Sequence, residues 1–417
     1  MKRIRPHSAP LASSFPEAGP VFDLPGRRTL TTSAQLIGTL VVYAVQSQWA
    51  HAADHVDYGF EFYKEEDGRT RVETHTLLFE KKITDSVAAK GELIYDCVSG
   101  ATPTGLPAKP PSQQVPLTPD PINDNRYAGY LEFDWRMGRQ VLSPQIAYST
   151  ESDYESIGIS LNDSIDFNQK NTTVRFGVSH NFDRVLDKPL DPRELRVWHD
   201  KDSTEGIIGI SQLLDPKTVF TADFTFGTES GYLNDPYRWV MFRGWLLVPP
   251  VGQLYIPGLE ARPTERTKEV LQTTITHFFD RVNGSAELSY RFYHDSYDIF
   301  GQTAALTWYQ KVGEHLILEP TFRFYEQSAA YFYYPEGVAG YLDTIPDPER
   351  PTYYSADYRL SHMITYTYGM QAVVILKDWL QFNVGYNRYT MYGRDDITSA
   401  SAYPKANIAT IGFRLWF

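Results

Sequence analysis

Charged and polar side chains recur at alternate positions in three segments of the chain. In chain order they are Glu132, Asp134 and Arg136, then Glu287, Arg291, Tyr293 and Asp295, and finally Glu319, Arg323, Tyr325 and Gln327. Side chains at alternate positions share one face of a β-strand. Rings of charged side chains select solutes in channels, so these residues are candidates for a lumen-lining constriction. The alternative is an internal salt-bridge network that braces a closed structure, and the sequence favours it because both signs are mixed.

Motifs of known enzymes do not occur in the sequence. It has no G-x-S-x-G elbow, no P-loop and no H-E-x-x-H pair, and its ten histidines lack the spacing of metal ligands. Cys97 is the only cysteine, which excludes a disulfide framework within the chain and a cysteine-rich metal site. We therefore expect no catalytic residue, no metal and no cofactor. A hydrolase is the least favoured hypothesis for the protein, which is predicted below to be a β-barrel. Neither a Ser/His/Asp set nor a pair of catalytic carboxylates is recognisable by its spacing in the sequence.

The composition narrows the class of protein. The 417 residues carry a formal net charge of −12 and a mean hydropathy of −0.38, and 14% of them are aromatic. An acidic chain without a basic stretch does not fit nucleic-acid binding, which depends on clustered Lys and Arg. Long apolar runs do not recur along the chain, so a bundle of transmembrane helices is excluded. What remains is an aromatic-rich β protein.

Residues 1–52 have the pattern of a signal peptide with a long leader. Two consecutive arginines precede an apolar core at 34–45, and small residues then occupy the positions that a signal peptidase recognises. We predict cleavage after Ala52, so the sequence divides into a leader at 1–52 and a single barrel domain at 53–417. The protein is therefore expected to be exported.

Alternation of apolar and polar residues dominates the rest of the chain. Leu131, Phe133 and Trp135, for example, alternate with polar residues. Many such segments run to ten residues or more, which suits tilted strands that cross a bilayer. The predicted strands are 57–66, 70–82, 86–97, 126–137, 139–150, 154–165, 170–181, 204–214, 217–227, 266–279, 284–294, 298–310, 314–327, 362–375, 379–391 and 404–417. The predicted fold class is all-β, a closed antiparallel transmembrane β-barrel of about 16 strands.

The predicted connections are sorted by length. If the chain starts in the periplasm, every long connection falls on the extracellular side and every short turn on the periplasmic side. Short periplasmic turns and long extracellular loops are typical of outer-membrane barrels. Proline is concentrated in the long loops. Pro144 and Pro320 nevertheless fall inside predicted strands, where each requires a bulge or a different strand boundary.

The last predicted strand ends in Phe417 after alternating aromatic residues. It resembles the terminal strand by which barrel assembly machinery recognises outer-membrane proteins. The expected partners are therefore that machinery, outer-membrane lipid and lipopolysaccharide, and no nucleic acid. The expected location is the bacterial outer membrane.

Five segments of the chain carry a family resemblance. They are 95–103, 231–238, 290–296, 323–333 and 355–361. Together they resemble domain-of-unknown-function family 3570, a family of bacterial outer-membrane β-barrels, over the chain from Asp57 to Phe417. The resemblance implies a barrel in the outer membrane, and it supplies no established reaction.

Two functions remain open for a barrel of this width. Its own strand side chains do not fill the interior, so the interior holds a channel, an infolded loop or a bound partner. The leading hypothesis is a porin-like channel that passes small solutes. The alternative is a closed structural barrel that docks a periplasmic or surface partner, for instance a redox component.

Overall fold

The described part of the chain is built almost entirely of β-strands. The computed structural model describes residues 54–108, 113–118, 122–191, 193–246, 252–339 and 351–417, and the predicted leader at 1–52 lies outside them. Strands β1 to β19 are, in chain order, His55–Glu65, Arg71–Lys82, Val87–Gly100, Ile122–Met137, Gln140–Thr150, Tyr154–Phe167, Thr172–Leu186, Trp198–Asp215, Thr218–Gly231, Trp239–Leu246, Gly252–Leu259, Glu265–Phe279, Gly284–Asp295, Phe300–Val312, Leu316–Gln327, Val338–Ala339, Met363–Lys377, Leu380–Gly393 and Lys405–Trp416. Within the described ranges, no helix has both the length and the apolar character needed to span a membrane.

Sixteen of these strands form one closed antiparallel barrel. Barrel strands that follow one another in the chain pair with each other, and the ring closes where β1 pairs with β19. Where additional strands intervene in the chain, β9 pairs with β12 and β15 pairs with β17. The predicted all-β class, the closed antiparallel arrangement and the number of strands are confirmed.

The barrel has an apolar outer face and a polar inner face, because the two kinds of residue alternate along its strands. On β13, Leu288 is 52% exposed on the outside, whereas Asp295 on the inside is 1% exposed. On β4, the exposed Leu131, Phe133 and Trp135 alternate with the buried Glu132 and the half-buried Asp134. An apolar exterior around a polar interior is the arrangement of outer-membrane barrels.

The connections at the two ends of the barrel differ in length. At one end the strands are joined by short turns, of which 138–139 has only two residues. Gly138 adopts a φ of +66° in this turn, a left-handed conformation that glycine takes without strain. At the other end, called the loop end below, the connections include 101–121, 232–264 and 328–362. The predicted sorting by length is confirmed.

Pro144 and Pro320 lie inside β5 and β15 without the irregularity predicted for them. The register between β4 and β5 is the same on both sides of Pro144, and only the pairs of Ser143 and Pro144 are missing from this ladder. The ladder between β14 and β15 has the same kind of gap at Pro320. The expectation of a bulge or a different boundary is therefore wrong, since a proline removes the donor on only one side of its strand.

Some strands extend further toward the loop end than their apolar pattern predicts. β8 begins at Trp198 rather than at 204. Its first residues include His199, Asp200, Lys201 and Asp202, which are polar on both faces. Apolar alternation therefore does not reveal this part of the strand, although its backbone pairs regularly with β7.

Three short strands within the long loops form a separate sheet that the sequence did not predict. β10 pairs antiparallel with β11, and β16 adds to β10 in parallel. β16 has only two residues, and β11 contains Pro257. Neither segment shows the alternation that reveals the barrel strands, because these strands are fixed by contacts between distant loops.

Candidate functional site

Loop segments meet at the loop end of the barrel and bring six charged side chains together. These residues, called the loop core below, are Asp235, Arg238, Glu260, Arg262, Asp357 and Arg359. They come from the loop that follows β9, the segment after β11 and the loop before β17. Five of them are at most 4% exposed, and the Arg262 side chain is 11% exposed. Three carboxylates and three guanidinium groups give the loop core a formal charge of zero.

Asp357 lies at the centre of the loop core. It caps the short 3-10 turn Tyr358–Leu360 by accepting the backbone N–H of Arg359 at 3.1 Å. The Arg359 Nε lies 2.7 Å and 2.8 Å from the two carboxylate oxygens, and Arg262 donates to the Asp357 Oδ2 at 2.9 Å. The carboxylate is thus fixed by its own turn and shared by guanidinium groups from two loop segments.

Arg238 connects the loop core to a further loop, 101–121. Its Nε lies 3.4 Å from Asp235 and 3.5 Å from Asp357, and the side chain is 1% exposed. The guanidinium also donates to the Thr102 hydroxyl at 3.1 Å and to the Pro103 carbonyl oxygen. A buried guanidinium requires acceptors for its donors, so Arg238 holds this loop against the others.

Glu260 joins the loop core from the other side. The Arg262 Nε lies 2.6 Å from its Oε1, and the Ser355 hydroxyl and the Asp235 backbone N–H donate to the carboxylate. Asp235 accepts in turn from the Arg359 guanidinium. Because every carboxylate has partners on more than one segment, the loop core cannot come apart at one contact alone.

The pKa values of two loop-core carboxyl groups shift in opposite directions. Burial raises the pKa of Asp357, but the charges of Arg359 and Arg238 outweigh burial and hold this pKa well below its usual range. At Glu260, burial outweighs the charge of Arg262, and the pKa lies above its ordinary value of 4.5. As the pH falls, Glu260 therefore takes up a proton before Asp357 does.

Apolar contacts attach the loop core to the inner wall of the barrel. Tyr358 belongs to a buried cluster with Tyr63, Tyr325, Met363 and Tyr389, which lie on β1, β15, β17 and β18. These strands are neighbours or near neighbours around the ring. Since wall side chains and loop side chains share one buried cluster, these loop segments pack on the inner wall at the mouth of the barrel.

Of the predicted residues on β15, Gln327 binds the loops directly and Tyr325 binds Gln327. The Gln327 Nε2 donates to the carbonyl oxygens of Arg359 and Ser361 at 2.8 Å and 3.0 Å. The Tyr325 hydroxyl donates to the Gln327 Oε1 at 2.7 Å. The structure therefore places this pair at the contact between wall and loops.

Two of the predicted residues on β13 lie at the same height of the wall. Arg266 of β12 donates to the Asp295 carboxylate and to the Tyr293 hydroxyl, at 2.9 Å in each case. Asp295 also accepts the backbone N–H of Tyr297 at 3.0 Å and that of Ile299 at 3.1 Å. This carboxylate joins the wall to the turn between β13 and β14.

The remaining predicted residues lie deeper in the barrel, and they do not form one ring. Glu287 accepts from Thr276 at 3.3 Å, and Glu319 accepts from Gln371 at 3.1 Å. Arg291 and Arg323 are half-buried on the same inner faces. Glu132, Asp134 and Arg136 lie toward the short turns on β4, seven strands from β13 around the ring.

The β4 residues belong to an ion-pair group of their own. The Lys90 Nζ lies 2.7 Å from Asp134 and 3.6 Å from Glu132, and Ser143 donates to Asp134 at 2.6 Å. Arg136 is exposed beside the short turn. The structure thus separates the predicted set into a mouth group and a deeper group on β13 and β15, and this group on β4, which lies seven strands away from β13 around the ring.

The loop core was missed because its residues lie in long loops, where strand periodicity gives no signal. Two of its segments, 231–238 and 355–361, are nevertheless among the five that carry the family resemblance, and 95–103 supplies the acceptors of Arg238. These family segments are therefore the sequence signal that points to the site. Their contacts with one another are not visible in a single sequence.

One group of acidic side chains has the spacing to hold a metal ion. Ligand atoms of Asp124, Glu151 and Asp153 lie within 4.8 Å of one another at the loop end. Ser152 donates to Asp124, and the Tyr237 hydroxyl donates to Asp153. These contacts attach the loop core's neighbour Tyr237 to the turn between β5 and β6, and they give the group a structural role.

Solved structures with a similar fold include those of bacterial outer-membrane proteins. A bacterial polysaccharide outer membrane secretin matches with a TM-score of 0.46 and 9% identity, over 88% of this chain and 99% of that one. OmpTdeltaL8, a loop deletion mutant of an outer membrane protein of Vibrio cholerae, matches with a TM-score of 0.38 and 10% identity, over 87% and 98% of the two chains.

A receptor of greater length is also similar. The siderophore receptor PirA from Pseudomonas aeruginosa matches with a TM-score of 0.40 and 9% identity, over 88% of this chain. This chain spans 62% of the length of that receptor. No curated protein matches the chain. The sequence model described as "Protein of unknown function (DUF3570)" matches residues 28–408, and the chain belongs to this family.

Proposed function

We propose that the protein is an outer-membrane channel for small solutes whose mouth is closed by its own loops and opens when the loop core separates. The observation that carries this proposal is the loop core itself. Its charged groups are buried, mutually paired and packed on the inner wall of a barrel that is too wide to be filled by strand side chains. Loops that only shielded the barrel from outside would not need such contacts within its mouth.

The proposed location is the bacterial outer membrane, with the loop end outside. The apolar outer face supports it, because exposed side chains such as Ile146, Val384 and Ile411 are 53–56% exposed and would be covered by lipid. The sorting of short turns and long loops supports the orientation. The signal peptide at 1–52 would deliver the chain, and barrel assembly machinery would recognise β19, which ends next to Phe417. Outer-membrane lipid and lipopolysaccharide would surround the barrel.

The inner face supports a preference for cations. On β1 to β4, acidic side chains outnumber basic ones on the inward positions. The acidic residues are Asp57, Glu61, Glu65, Glu80, Glu92, Asp96, Asp124, Glu132 and Asp134, and the basic residues are Lys82, Lys90, Arg126 and Arg136. In the described part of the chain, no basic side chain lies within 4.0 Å of Glu61 or Glu92. A channel wall with excess negative charge attracts cations and repels anions.

Conductance in planar lipid bilayers tests the proposal. The wild-type protein is expected to conduct rarely, because the loop core closes the mouth. Arg238→Ala removes one of the two guanidinium groups that Asp235 and Asp357 share, and it also removes the contacts to Thr102 and Pro103. This variant is therefore expected to open far more often. Under a KCl gradient, its reversal potential should have the sign of a cation-selective pore. Wild type and variant that both stay electrically silent would contradict the channel.

A closed scaffold is the second candidate, and the packing of the loops on the inner wall is the observation that favours it. A barrel whose mouth never opens would serve to hold a periplasmic or surface partner, for example a redox component. Gentle detergent extraction should then recover the barrel with that partner in a fixed ratio. Recovery of the barrel alone, together with conductance by Arg238→Ala, would decide for the channel.

A further inference from the structure

Four basic side chains lie side by side on the outer face of the barrel at its loop end. They are Lys64 on β1, Arg71 on β2, Arg388 on β18 and Lys405 on β19, and we call them the basic patch. Lys64 is directly opposite Arg71 on one side and opposite Asn407 on the other. Arg388 is opposite Asn407 and donates to its side chain at 3.0 Å, and Lys405 lies two residues further along β19. The patch therefore spans four adjacent strands.

The basic patch retains net positive charge after its local ion pairs are counted. Arg71 pairs with Glu73, and Arg388 pairs with Glu66. Lys64 and Lys405 are exposed, and no carboxylate lies within 4.0 Å of either ammonium group among the residues that the structure describes. Four cations and two carboxylates leave a charge of +2.

The rest of the outer rim at the loop end has the opposite character. Its charged residues are mostly acidic, namely Glu155, Asp200, Asp202, Glu265, Glu269 and Glu326. The basic exception is Arg184 on β7, whose guanidinium lies 3.6 Å from Glu155. The chain as a whole has a net charge of −12. The basic patch is therefore a local reversal of charge, and it is confined to the seam where the first and last strands close the barrel.

The height of the basic patch matches the edge of the apolar band. Val56 lies near the end of β1 that meets the short turns, and Lys64 lies eight residues further along the strand, at the loop end. At about 3.3 Å per residue and a tilt of about 40°, this separation corresponds to about 20 Å along the barrel axis, close to the height of a transmembrane apolar band of about 25 Å. Aromatic rings lie directly below the cations: the Arg71 guanidinium is 5.0 Å from the Phe62 ring centre.

We propose that the basic patch binds the phosphate groups of a phosphorylated glycolipid in the outer leaflet. The inference rests on the proposed location in the outer membrane with the loop end outside. Phosphate oxygens accept from ammonium and guanidinium groups, and acyl chains pack on the apolar and aromatic side chains below them. The lipid would thus contact the strands on both sides of the seam between β1 and β19 and hold the ring closed there.

Native mass spectrometry of the purified full-length barrel tests this site. Wild type is titrated with bis-phosphorylated lipid A and with the same lipid after removal of its phosphates. We expect binding of the phosphorylated form, and a loss of affinity of about tenfold or more in the double variant Lys64→Gln/Lys405→Gln, because two charges near an anionic headgroup are removed. Arg184→Gln is the matched control, since Arg184 is also basic and outward at the loop end, and its affinity should stay within about twofold of wild type.

Three results would overturn the inference. These are equal binding of the phosphorylated and dephosphorylated lipids, an equal loss of affinity in Arg184→Gln, and full displacement of the lipid by millimolar inorganic phosphate, which would assign the patch to free phosphate. Heat-modifiable migration in gels verifies that each variant is folded. The bilayer conductance of the same preparations separates the two proposals, because lipid binding and opening of the loop core are measured independently.

Discussion

At the scale of single residues, Arg238 is the side chain that joins the loop core to the loop at 101–121. Removing it in Arg238→Ala leaves two buried carboxylates short of a partner, and breaking a buried ion pair in this way costs about 3–5 kcal/mol. We expect faster hydrogen exchange in 231–238 and 355–361, with no change in the barrel strands. Arg193→Ala is the control, because Arg193 pairs with Asp191 on the exposed surface. Unchanged exchange in both loop segments would contradict the role of Arg238.

The loop core should also respond to pH in two steps of opposite sign. Glu260 has a folded-state pKa above its ordinary 4.5. Its protonation therefore stabilises the folded loops as the pH falls through the folded-state pKa, and the gain is complete at about pH 4.5. Asp357 has a folded-state pKa below its ordinary 3.8, so its contribution is fully present above pH 3.8 and is lost as the pH falls further.

Protection factors for 231–238 and 355–361, corrected for intrinsic exchange, measure this response. They should rise as the pH falls from 7 toward 4.5 and decline below 3.8. Glu260→Gln should abolish the rise and keep the decline. A rise that persists in Glu260→Gln would show that another group is responsible.

At the scale of elements, the barrel strands could be predicted from the sequence because each strand has an apolar outer face and a polar inner face. Alternation along 284–294, for instance, predicts β13 almost to its last residue. The beginning of β8 could not be predicted, since residues beyond the apolar band are polar on both faces. β10, β11 and β16 could not be predicted either, because their pairing depends on loops that lie far apart in the chain.

The two faces of one strand provide the element-scale prediction. Leu288 and Ser289 are neighbours on β13, with Leu288 outward and Ser289 inward opposite the small residues Thr274 and Ala305. Leu288→Arg should destabilise the barrel in bilayers by about 2–4 kcal/mol, because its charge would lie in lipid. Ser289→Arg should have little effect, because its charge would lie in the polar interior. Folding titrations in lipid vesicles measure both, and equal costs would refute this assignment of the faces.

At the scale of the whole molecule, the orientation of the barrel determines what the loop core faces. Leu195 in the loop between β7 and β8 is 89% exposed, and Lys170 is exposed in a short turn at the opposite end. In a Cys97→Ser background, Leu195→Cys should react with a membrane-impermeant maleimide on intact cells. Lys170→Cys should react only after permeabilisation. The reverse pattern would place the loop core on the periplasmic side.

The candidate site was less predictable than the barrel that holds it. Inward positions such as Asp295 and Gln327 follow from strand parity, but the sequence did not indicate that they attach to loops. Arg238 and Asp357 are separated by more than a hundred residues, and their contact exists only because the barrel brings both loops to one mouth. Strand periodicity is a local property, whereas a site built from loops is a property of the closed ring.

The central claim is that lipid surrounds the outer face of the barrel and that water and polar groups fill the inside. Spin labels attached to single cysteines at 288–294, in the Cys97→Ser background and in bilayers, test it most directly. Even positions should be accessible to oxygen, which concentrates in lipid, and odd positions to a water-soluble nickel chelate. Accessibility that fails to alternate along β13, or outward labels that respond to the nickel chelate, would contradict the account.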